Sequence, residues 1–579
     1  MKFNEFARYL DDIESVTSRL VITEKLASLF AKLAPSEIEH VSYLLQGRVA
    51  APYIGLEFGL AEKSVIKAAA TALQQDLGDL TKRVREMGDL GLAIEAVRAE
   101  FLSLQHKNLS VDQVFERFLQ IARTTGEGSQ EAKSMILGEL LSSLDALSCR
   151  YVCRIPLGQM RLGASDVTVL DALSWMLSGS KRDRPAIERA YQVRPDIGFI
   201  ARRVKEEGVA GLLTITPEVG TPILMMRAER LSSGEEIIAN LGPCLVEPKY
   251  DGFRLQVHVK KASQTSQRAN TNDLVKIFTR GLEDMTLVYP DIARAVVKEL
   301  QAESAIIEGE ALGYDPATGK FLPFQETTQR KRKHDVEKKM KEIPLRFMVF
   351  DLLFVNGTSL IREPLVARRA KLRSCFEGNS RVISLAPEHE VSDPADIEAF
   401  FDEYVSEGLE GIMAKKKDGE YKPGAREYAW VKLKRSYSEK TQDTLDCVVM
   451  GYDLGKGKRA DFGIGAVLVG VYDKKREKYV TVAKIGTGMT DDEWRALKDR
   501  SLNHASTHMP PEYEVLEEMV PDVWVSPSQI LEIRCDELTQ SKLHTSGWGL
   551  RFPRLERFRD DKKPTDATHL EELEKISKR

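Results

Sequence analysis

The chain has few cysteines, few aromatic residues, almost no net charge and no long apolar run, and each shortage removes a class of explanation. Six cysteines among 579 residues, Cys149, Cys153, Cys244, Cys375, Cys447 and Cys535, are too few to staple a chain of this size. Only Cys149 and Cys153 lie close together, and no histidine or second cysteine pair completes a zinc set beside them. Reduced, buried thiols in an intracellular, cytoplasmic protein are the expectation. A formal charge of −4, from 84 basic and 88 acidic residues, gives no overall basicity. Any affinity for nucleic acid must then come from local basic faces. No apolar run approaches the roughly 20 residues that span a bilayer, and the first residues have no signal-peptide character. No membrane partner is expected.

What is present suits a large protein with real cores: 42% hydrophobic and 30% charged residues. The length predicts three to four domains. Residues 1–205 read as helical, with apolar residues at three and four spacings, as in Phe115, Phe118, Leu119 and Ala122. Residues 206–440 mix strand-length runs (Leu255 to Val259, Ala305 to Ile307, Phe347 to Phe354) with helical patterns, an α+β layout. Residues 441–579 crowd short strands around Asp446–Tyr452, Gly465–Tyr472 and Lys478–Ile485, with one helix near Asp491. That pattern predicts a small β-barrel of the OB-fold type, with a charged, frayed tail. The basic run Arg330–His334 reads either as a solvated helix end or as a phosphate-contacting patch.

The most informative residue is Lys249, in Glu247-Pro248-Lys249-Tyr250-Asp251-Gly252-Phe253-Arg254. A lysine attacks phosphorus only as a neutral amine, and the ordinary pKa of about 10.4 must be lowered by nearby cations or a dry pocket. Gly252 has no side chain, so a nucleotide is expected to pass close to the backbone there. Further segments follow at long spacing: Thr279-Arg280-Gly281, Glu308-Gly309-Glu310-Ala311, Phe350-Asp351, Glu410-Gly411 and Trp430-Val431-Lys432-Leu433-Lys434. Each is expected at a strand end, converging on one pocket. Arg254, Arg280, Arg426, Lys432 and Lys434 supply cations for a triphosphate. Glu310 and Glu410 supply hard oxygen ligands for Mg²⁺ or Mn²⁺. Phe350 supplies a flat face for a purine. In the helical part, Arg154 and Arg161 fall in a turn-rich stretch that reads equally as a loop presenting phosphate contacts or as a structural helix connection with exposed arginines.

Taken in order, these segments resemble the motifs of covalent lysyl-nucleotidyltransferases, and above all the three-domain, archaeal-type ATP-dependent DNA ligases. The resemblance covers almost the whole chain and extends to Leu550-Arg551-Phe552-Pro553-Arg554 and Arg557–Lys562. It implies an all-α DNA-binding domain (1–205), an α+β nucleotidyltransferase or adenylation domain (206–440) and a β-barrel OB-fold domain (441–579). It implies ATP as co-substrate and nicked double-stranded DNA as partner, in replication, repair and recombination, with the enzyme acting as a monomer. By the same resemblance Lys249 accepts AMP, and Glu247 flanks the adenine. Arg254 and Arg280 bind ribose and phosphate, Glu310 contacts the ribose or its metal-bound surroundings, and Phe350 stacks on adenine. Arg426 and Lys432 hold the α-phosphate with Lys434 nearby, and Glu410 helps bind the metal. Arg551, Arg557 and Lys562 meet pyrophosphate when the barrel swings closed on a linker near Arg435–Ser438.

The helical part is similar to the family's DNA-binding domain at Leu44–Ala50, Thr124–Ser129 and Met160–Gly163. Two departures stand out. The sliding-clamp peptide of archaeal relatives would fall at Leu104–Leu109, where its paired aromatics are missing, and Glu556 stands where an apolar residue is usual. RNA ligases and capping enzymes share the lysine motif but lack this helical domain. An NAD-dependent ligase would carry a four-cysteine zinc site, and a catalytically dead clamp would have lost Lys249, Glu310 or Lys432.

Overall fold

The α-helices of the N-terminal part end at Glu207, and the first strand begins at Arg227. The structure, a computed structural model, describes residues 1–100, 106–262, 273–331, 335–376, 380–434, 444–455, 459, 462–535 and 537–576. The expected linker at Arg435–Ser438, the start of the clamp-peptide stretch (Leu104 and Gln105) and three residues of the basic run (Arg332, Lys333 and His334) lie outside them. Two compact units emerge: Met1–Leu80 with Gly91–Arg435, and Thr81–Leu90 with Ser436–Arg579. Among the described residues no helix is long and apolar enough to cross a membrane.

In the first unit the helical part is built from local signals. Helix Val111–Arg123 starts at Ser110, whose hydroxyl accepts from the Gln113 N–H while the Gln113 side chain accepts from the Ser110 N–H. It buries Val114, Phe115, Phe118, Ile121 and Ala122 on one face. Ala51 and Tyr53 join this region to the sheets by packing on Phe278 and Leu282.

The strands of the first unit are β1 (Arg227–Arg230), β2 (Cys244–Pro248), β3 (Phe253–Lys260), β4 (Leu274–Thr279), β5 (Ser304–Gly313), β6 (Leu345–Val355), β7 (Thr358–Ser359), β8 (Ile383–Leu385), β9 (His389–Val391), β10 (Gly411–Lys416) and β11 (Arg426–Lys434). They form two sheets, one ordered β1-β11-β10-β2-β9 and the other β4-β3-β5-β6-β7 with β8 also on β6. All pairs are antiparallel except β1 with β11 and β6 with β8. The period of two sorts the side chains into layers. Leu255, Val257, Ile307, Phe347 and Val349 face helix Pro290–Glu299. Ile306, Leu312, Met348 and Phe350 face the other sheet, where they meet Trp430. Behind that sheet, helices Gly234–Leu241 and Pro394–Ser406 cover Val246, Ile412 and Val431. The order is helix, five-stranded sheet, six-stranded sheet, helix. Both sheets are therefore covered on two faces, which explains the nearly continuous apolar runs of β5 and β6.

Alternation puts Arg254, Gln256 and His258 of β3, and Glu308 and Glu310 of β5, on the inner face, with Arg254 opposite Glu310 and Gln256 opposite Glu308. The expectation that the functional groups stand at strand ends holds for Lys249, Arg280 and Glu410, which directly flank β2, β4 and β10, and is corrected for others. Glu308, Glu310, Phe350 and Lys432 all lie inside strands. They converge because two sheets face each other, not because strands terminate together.

In the second unit, strands Leu445–Asp453, Ala466–Asp473 and Lys478–Ile485 form an antiparallel meander. The other edge of Leu445–Asp453 pairs with Val523–Val525 and Ile530–Arg534. Helix Asp491–Leu502 is capped by Thr490 and sends Trp494 and Leu497 into the core. The tail is not frayed as expected: helix Leu570–Ile576 docks with Leu573 fully buried. Its charged residues face outward, so composition concealed one apolar anchor.

Candidate active site

A cavity of about 570 Å³ opens between the two sheets of the first unit. Of the residues expected to handle a nucleotide, Glu247, Lys249, Arg254, Arg280, Glu310, Phe350, Arg426 and Lys432 all line it. Glu410 and Lys434 sit at its edge through contacts with Lys249 and with each other.

Lys249 follows β2 directly, and its backbone is fixed on both sides. Its N–H donates to Gly411 O (2.8 Å), and its carbonyl accepts from the Glu410 N–H (3.1 Å). Gly411 has φ +136°, and a Cβ there would stand 2.3 Å from Leu433 O, so only glycine brings β10 this close to β11. Lys249 Nζ lies 2.5 Å from Glu410 Oε2, which also holds Lys434 Nζ at 2.8 Å. Burial pushes the Glu410 carboxyl up, but Lys249 and Lys434 outweigh it and hold it below its ordinary value.

Gly252 lines the cavity and has a packing task besides the one expected. A Cβ there would meet Ala311 O at 2.4 Å, so the glycine serves the close approach of β5.

The floor of the cavity is a hydrogen-bond hub that the sequence did not reveal. Glu308 is fully buried and accepts from Arg254 Nη2 (2.6 Å), Gln256 Nε2 (3.0 Å) and the Tyr421 hydroxyl (2.9 Å). Arg254 Nη1 donates to Met226 O (2.6 Å). These bonds fix the Arg254 guanidinium 5.5 Å from the Phe350 ring centroid and 5.2 Å from that of Trp430.

Phe350 and Trp430 meet edge to face, 6.0 Å apart at 80°. Lys415 Nζ is 4.5 Å and 4.3 Å from the two ring centroids and 2.6 Å from Glu247 Oε2. Burial lowers the Lys415 pKa, opposed by the Glu247 charge. The second Glu247 oxygen has no hydrogen-bond donor among the described residues. An aromatic pair beside a buried acceptor and cation is a surface for a flat, polar-edged ring.

Farther along the cavity the charge becomes positive. Arg280 is held below its ordinary value by partial burial and then by Arg254, Arg227 and Arg426. Burial, then Lys249 and Lys434, bring Lys432 down to about 8. Glu310 is pushed up to about 7 by burial, with Lys249 and Arg254 opposing and the charges of Glu410 and Asp251 adding to the rise. Crowded cations of this kind await an anion. Among the described residues no three or more His, Cys, Asp or Glu are grouped to hold a metal by themselves. Glu310 and Glu410 fit an ion that keeps waters and phosphate oxygens in its shell, because both are hard carboxylates whose charges already interact.

Arg227, Lys331, Met413, Lys415 and Trp430 also line the cavity and carried no assigned role in the sequence. Lys331 Nζ lies 4.5 Å from the Phe253 ring centroid, so part of the basic run belongs to the site. Its neighbour Arg330 is neither solvated nor phosphate-facing: it is buried, and its Nη2 donates to both carboxylate oxygens of Asp291, each at 2.9 Å.

The other expected residues lie elsewhere. Arg154 is buried, with Nη1 2.7 Å from Glu14 Oε2, so a structural ion pair replaces the phosphate contact expected of it. Arg161 adopts φ +58° in the following turn and keeps partial exposure. In the second unit, Arg557 pairs with Glu532 (2.5 Å), Lys562 with Asp446 (2.5 Å), and Arg551 is exposed beside Phe552.

Comparison with known proteins places this geometry in context. Residues 225–434, the span that holds the cavity, match the family described as "ATP dependent DNA ligase domain". Residues 2–174 match "DNA ligase N terminus", and residues 460–562 match "ATP dependent DNA ligase C terminal region". The chain is similar to a "Probable DNA ligase" of Dictyoglomus turgidum, 43% identical over 99% of this chain and 97% of the relative. It is also similar to a "DNA ligase" of Pyrobaculum islandicum, 38% identical over 100% and 99%. Among solved structures, one called Pmar-Lig_PreS3 shares the fold, with TM-score 0.54 and 16% identity, over 96% of this chain and 99% of that one.

Proposed function

The chain belongs to the ATP-dependent DNA ligase family, and from that premise we propose that Lys249 is the residue that carries AMP between ATP and the broken strand. The single observation that carries this reading is the placement of Lys249 in the cavity that also holds the Phe350–Trp430 ring pair and the cationic wall. One end suits a purine and the other a polyphosphate, with the amine between them.

In the first step Lys249 Nζ bonds to the α-phosphorus of ATP, the bond to the β-phosphate bridge breaks, and pyrophosphate leaves. Glu410 Oε2, 2.5 Å from Nζ, is placed to take the amine's proton. Arg426 and Lys432 steady the α-phosphate, Arg254 and Arg280 the ribose and phosphates, and Phe350 the base. In the second step an oxygen of the DNA 5′-phosphate displaces the lysine, and the N–P bond breaks. In the third the 3′-hydroxyl attacks that activated phosphate and AMP departs. Splitting one condensation into exchanges with good leaving groups is the gain from covalent catalysis. Glu310 and Glu410 would hold Mg²⁺ or Mn²⁺, which neutralises charge on the phosphate oxygens.

Within the same reading the three family regions act as a helical DNA-binding domain (1–205), an adenylation domain (206–440) and an OB-type barrel (441–579). Arg161 contributes to the DNA face, and Arg551, Arg557 and Lys562 face pyrophosphate during the first step. The enzyme works as an intracellular monomer on nicked duplex DNA. The test offers nicked DNA with ATP, nicked RNA with ATP, and nicked DNA with GTP or NAD in parallel. Sealing confined to nicked DNA with ATP is expected. Equal sealing of RNA, or a preference for GTP or NAD, would overturn the assignment.

A further inference from the structure

Among the described cavity-lining cations that the reaction scheme does not use (Arg227, Lys331 and Lys415), Arg227 lies nearest in register to those proposed for the α-phosphate. Arg227 lines the cavity from β1, the edge strand of the five-stranded sheet. β1 runs parallel to β11, and the register sets Arg227 beside Arg426 and Arg230 beside Lys432. The two cations proposed for the α-phosphate thus each have a second cation next to them, one strand farther out. Arg227 is not a loose surface side chain. Its Nε (3.1 Å) and Nη2 (2.8 Å) both donate to Gly424 O, which anchors the guanidinium and leaves Nη1 directed elsewhere. It is close enough to Arg280 to disfavour that residue's charge. Among the described residues no carboxylate pairs with Arg227, Arg280, Arg426 or Lys432, whereas Lys249, Arg254 and Lys415 each have one.

A group of mutually repelling, unneutralised cations is costly unless an anion is to occupy it. An anchored, exposed guanidinium beside an α-phosphate ligand is suited to oxygens one phosphate farther along. We infer that Arg227 binds the pyrophosphate portion of ATP, the β- and γ-phosphates, and steadies it as the leaving group of lysyl-AMP formation. The inference rests on the ligase reading of the cavity and extends it to a residue outside the recognised motifs. In the reverse direction the same contact captures free pyrophosphate. A pyrophosphate oxygen then attacks the phosphorus of lysyl-AMP, the N–P bond breaks, ATP forms and the amine is restored.

The test uses the full chain as wild type, R227Q and R227K, with three readouts. These are the KM for ATP in lysyl-AMP formation without DNA, the pyrophosphate concentration that half-reverses purified enzyme–AMP, and single-turnover sealing of a nick that already carries 5′-AMP. Loss of one charge-assisted phosphate contact is worth about tenfold or more in affinity. R227Q should therefore raise both the ATP and the pyrophosphate values about tenfold and leave sealing of the adenylylated nick unchanged. R227K should recover part of both. If R227Q shifts neither value, or slows the adenylylated nick equally, Arg227 does not bind the leaving group. If R227K is as impaired as R227Q, the role is the structural tie to Gly424, and the inference falls. Wild-type enzyme that forms no adduct at Lys249 would instead sink the ligase reading beneath it.

Discussion

Glu308→Gln removes one charge from the cavity floor while filling the same space. In the native hub one carboxylate oxygen accepts from Gln256 Nε2 and Tyr421 OH, and the other from Arg254 Nη2 at 2.6 Å. A glutamine can keep the first pair only by turning its amide NH₂ toward the Arg254 donor. Turned the other way, it sets that NH₂ against Gln256 Nε2. Gln256 cannot flip to compensate, because it accepts from Ile223 N–H (2.8 Å) and donates to Ile223 O (3.1 Å). Every arrangement leaves a donor facing a donor and Arg254 without its counter-charge. Removing one partner of a buried ion pair costs about 3–5 kcal/mol. The Arg254 side chain keeps 19% exposure, so screening favours the low end, about 3 kcal/mol. That is a large share of a typical total stability of about 5–15 kcal/mol. The chain has more than one unit, so hydrogen exchange of β3 and β5 peptides in a urea series is the appropriate assay. The local opening free energy should drop by about 3 kcal/mol, and lysyl-AMP formation should slow as Arg254 loses its position. R254M/E308Q should lose less than the two single variants summed, because the unpaired cation is gone. A loss under about 1 kcal/mol in E308Q, or strict additivity in the double variant, would refute the hub.

Other consequences follow from the same geometry. Lys432 titrates near 8 in the free enzyme instead of near 10.5. Its charge is complete below pH 8 and lost above it, so ATP should bind more weakly above pH 8 and take up a proton there. Calorimetry in buffers of different ionisation enthalpy should show this uptake in wild type and not in K432R. The linkage for stability has the matching sign: the burial penalty on Lys432 is full below pH 8 and relieved as pH rises toward 10.5. Glu310, raised to about 7, is largely protonated below that pH, so Mg²⁺ affinity should rise through pH 7 with release of a proton. E310Q should flatten that dependence, and a pH-independent wild type would contradict it. G252A places a Cβ 2.4 Å from Ala311 O and should cost about 1–3 kcal/mol through displacement of β5, measured by thermal unfolding. An unchanged midpoint would show that the backbone relaxes freely.

Much of the site was legible in the sequence because its groups occur in short, ordered segments, and a period of two fixes which face each side chain takes once the strands are known. Arg254, Glu310, Phe350 and Lys432 were found this way and do line one cavity. The sequence hid what depends on pairing between distant strands. Glu308 reads as one more carboxylate beside Glu310, and only the folded β3–β5 pairing shows that, set opposite Gln256, it reaches diagonally to Arg254. Arg227 belongs to a short strand, Arg-Ala-Glu-Arg, whose importance comes from its parallel neighbour β11. Lys415 looks like the exposed end of a strand, yet it is buried between Glu247 and two rings. Arg154 erred in the other direction: its turn-rich surroundings suggested a surface, but Glu14, 140 residues earlier, draws it inside.

The central claim is that one amine carries AMP, and intact-mass analysis reads that amine directly. Wild-type enzyme mixed with Mg²⁺ and ATP should gain a single AMP, lose it on addition of nicked DNA, and gain nothing as Lys249→Ala. Strand joining by a wild-type enzyme that never becomes adenylylated, or an adduct that persists in Lys249→Ala, would contradict the account.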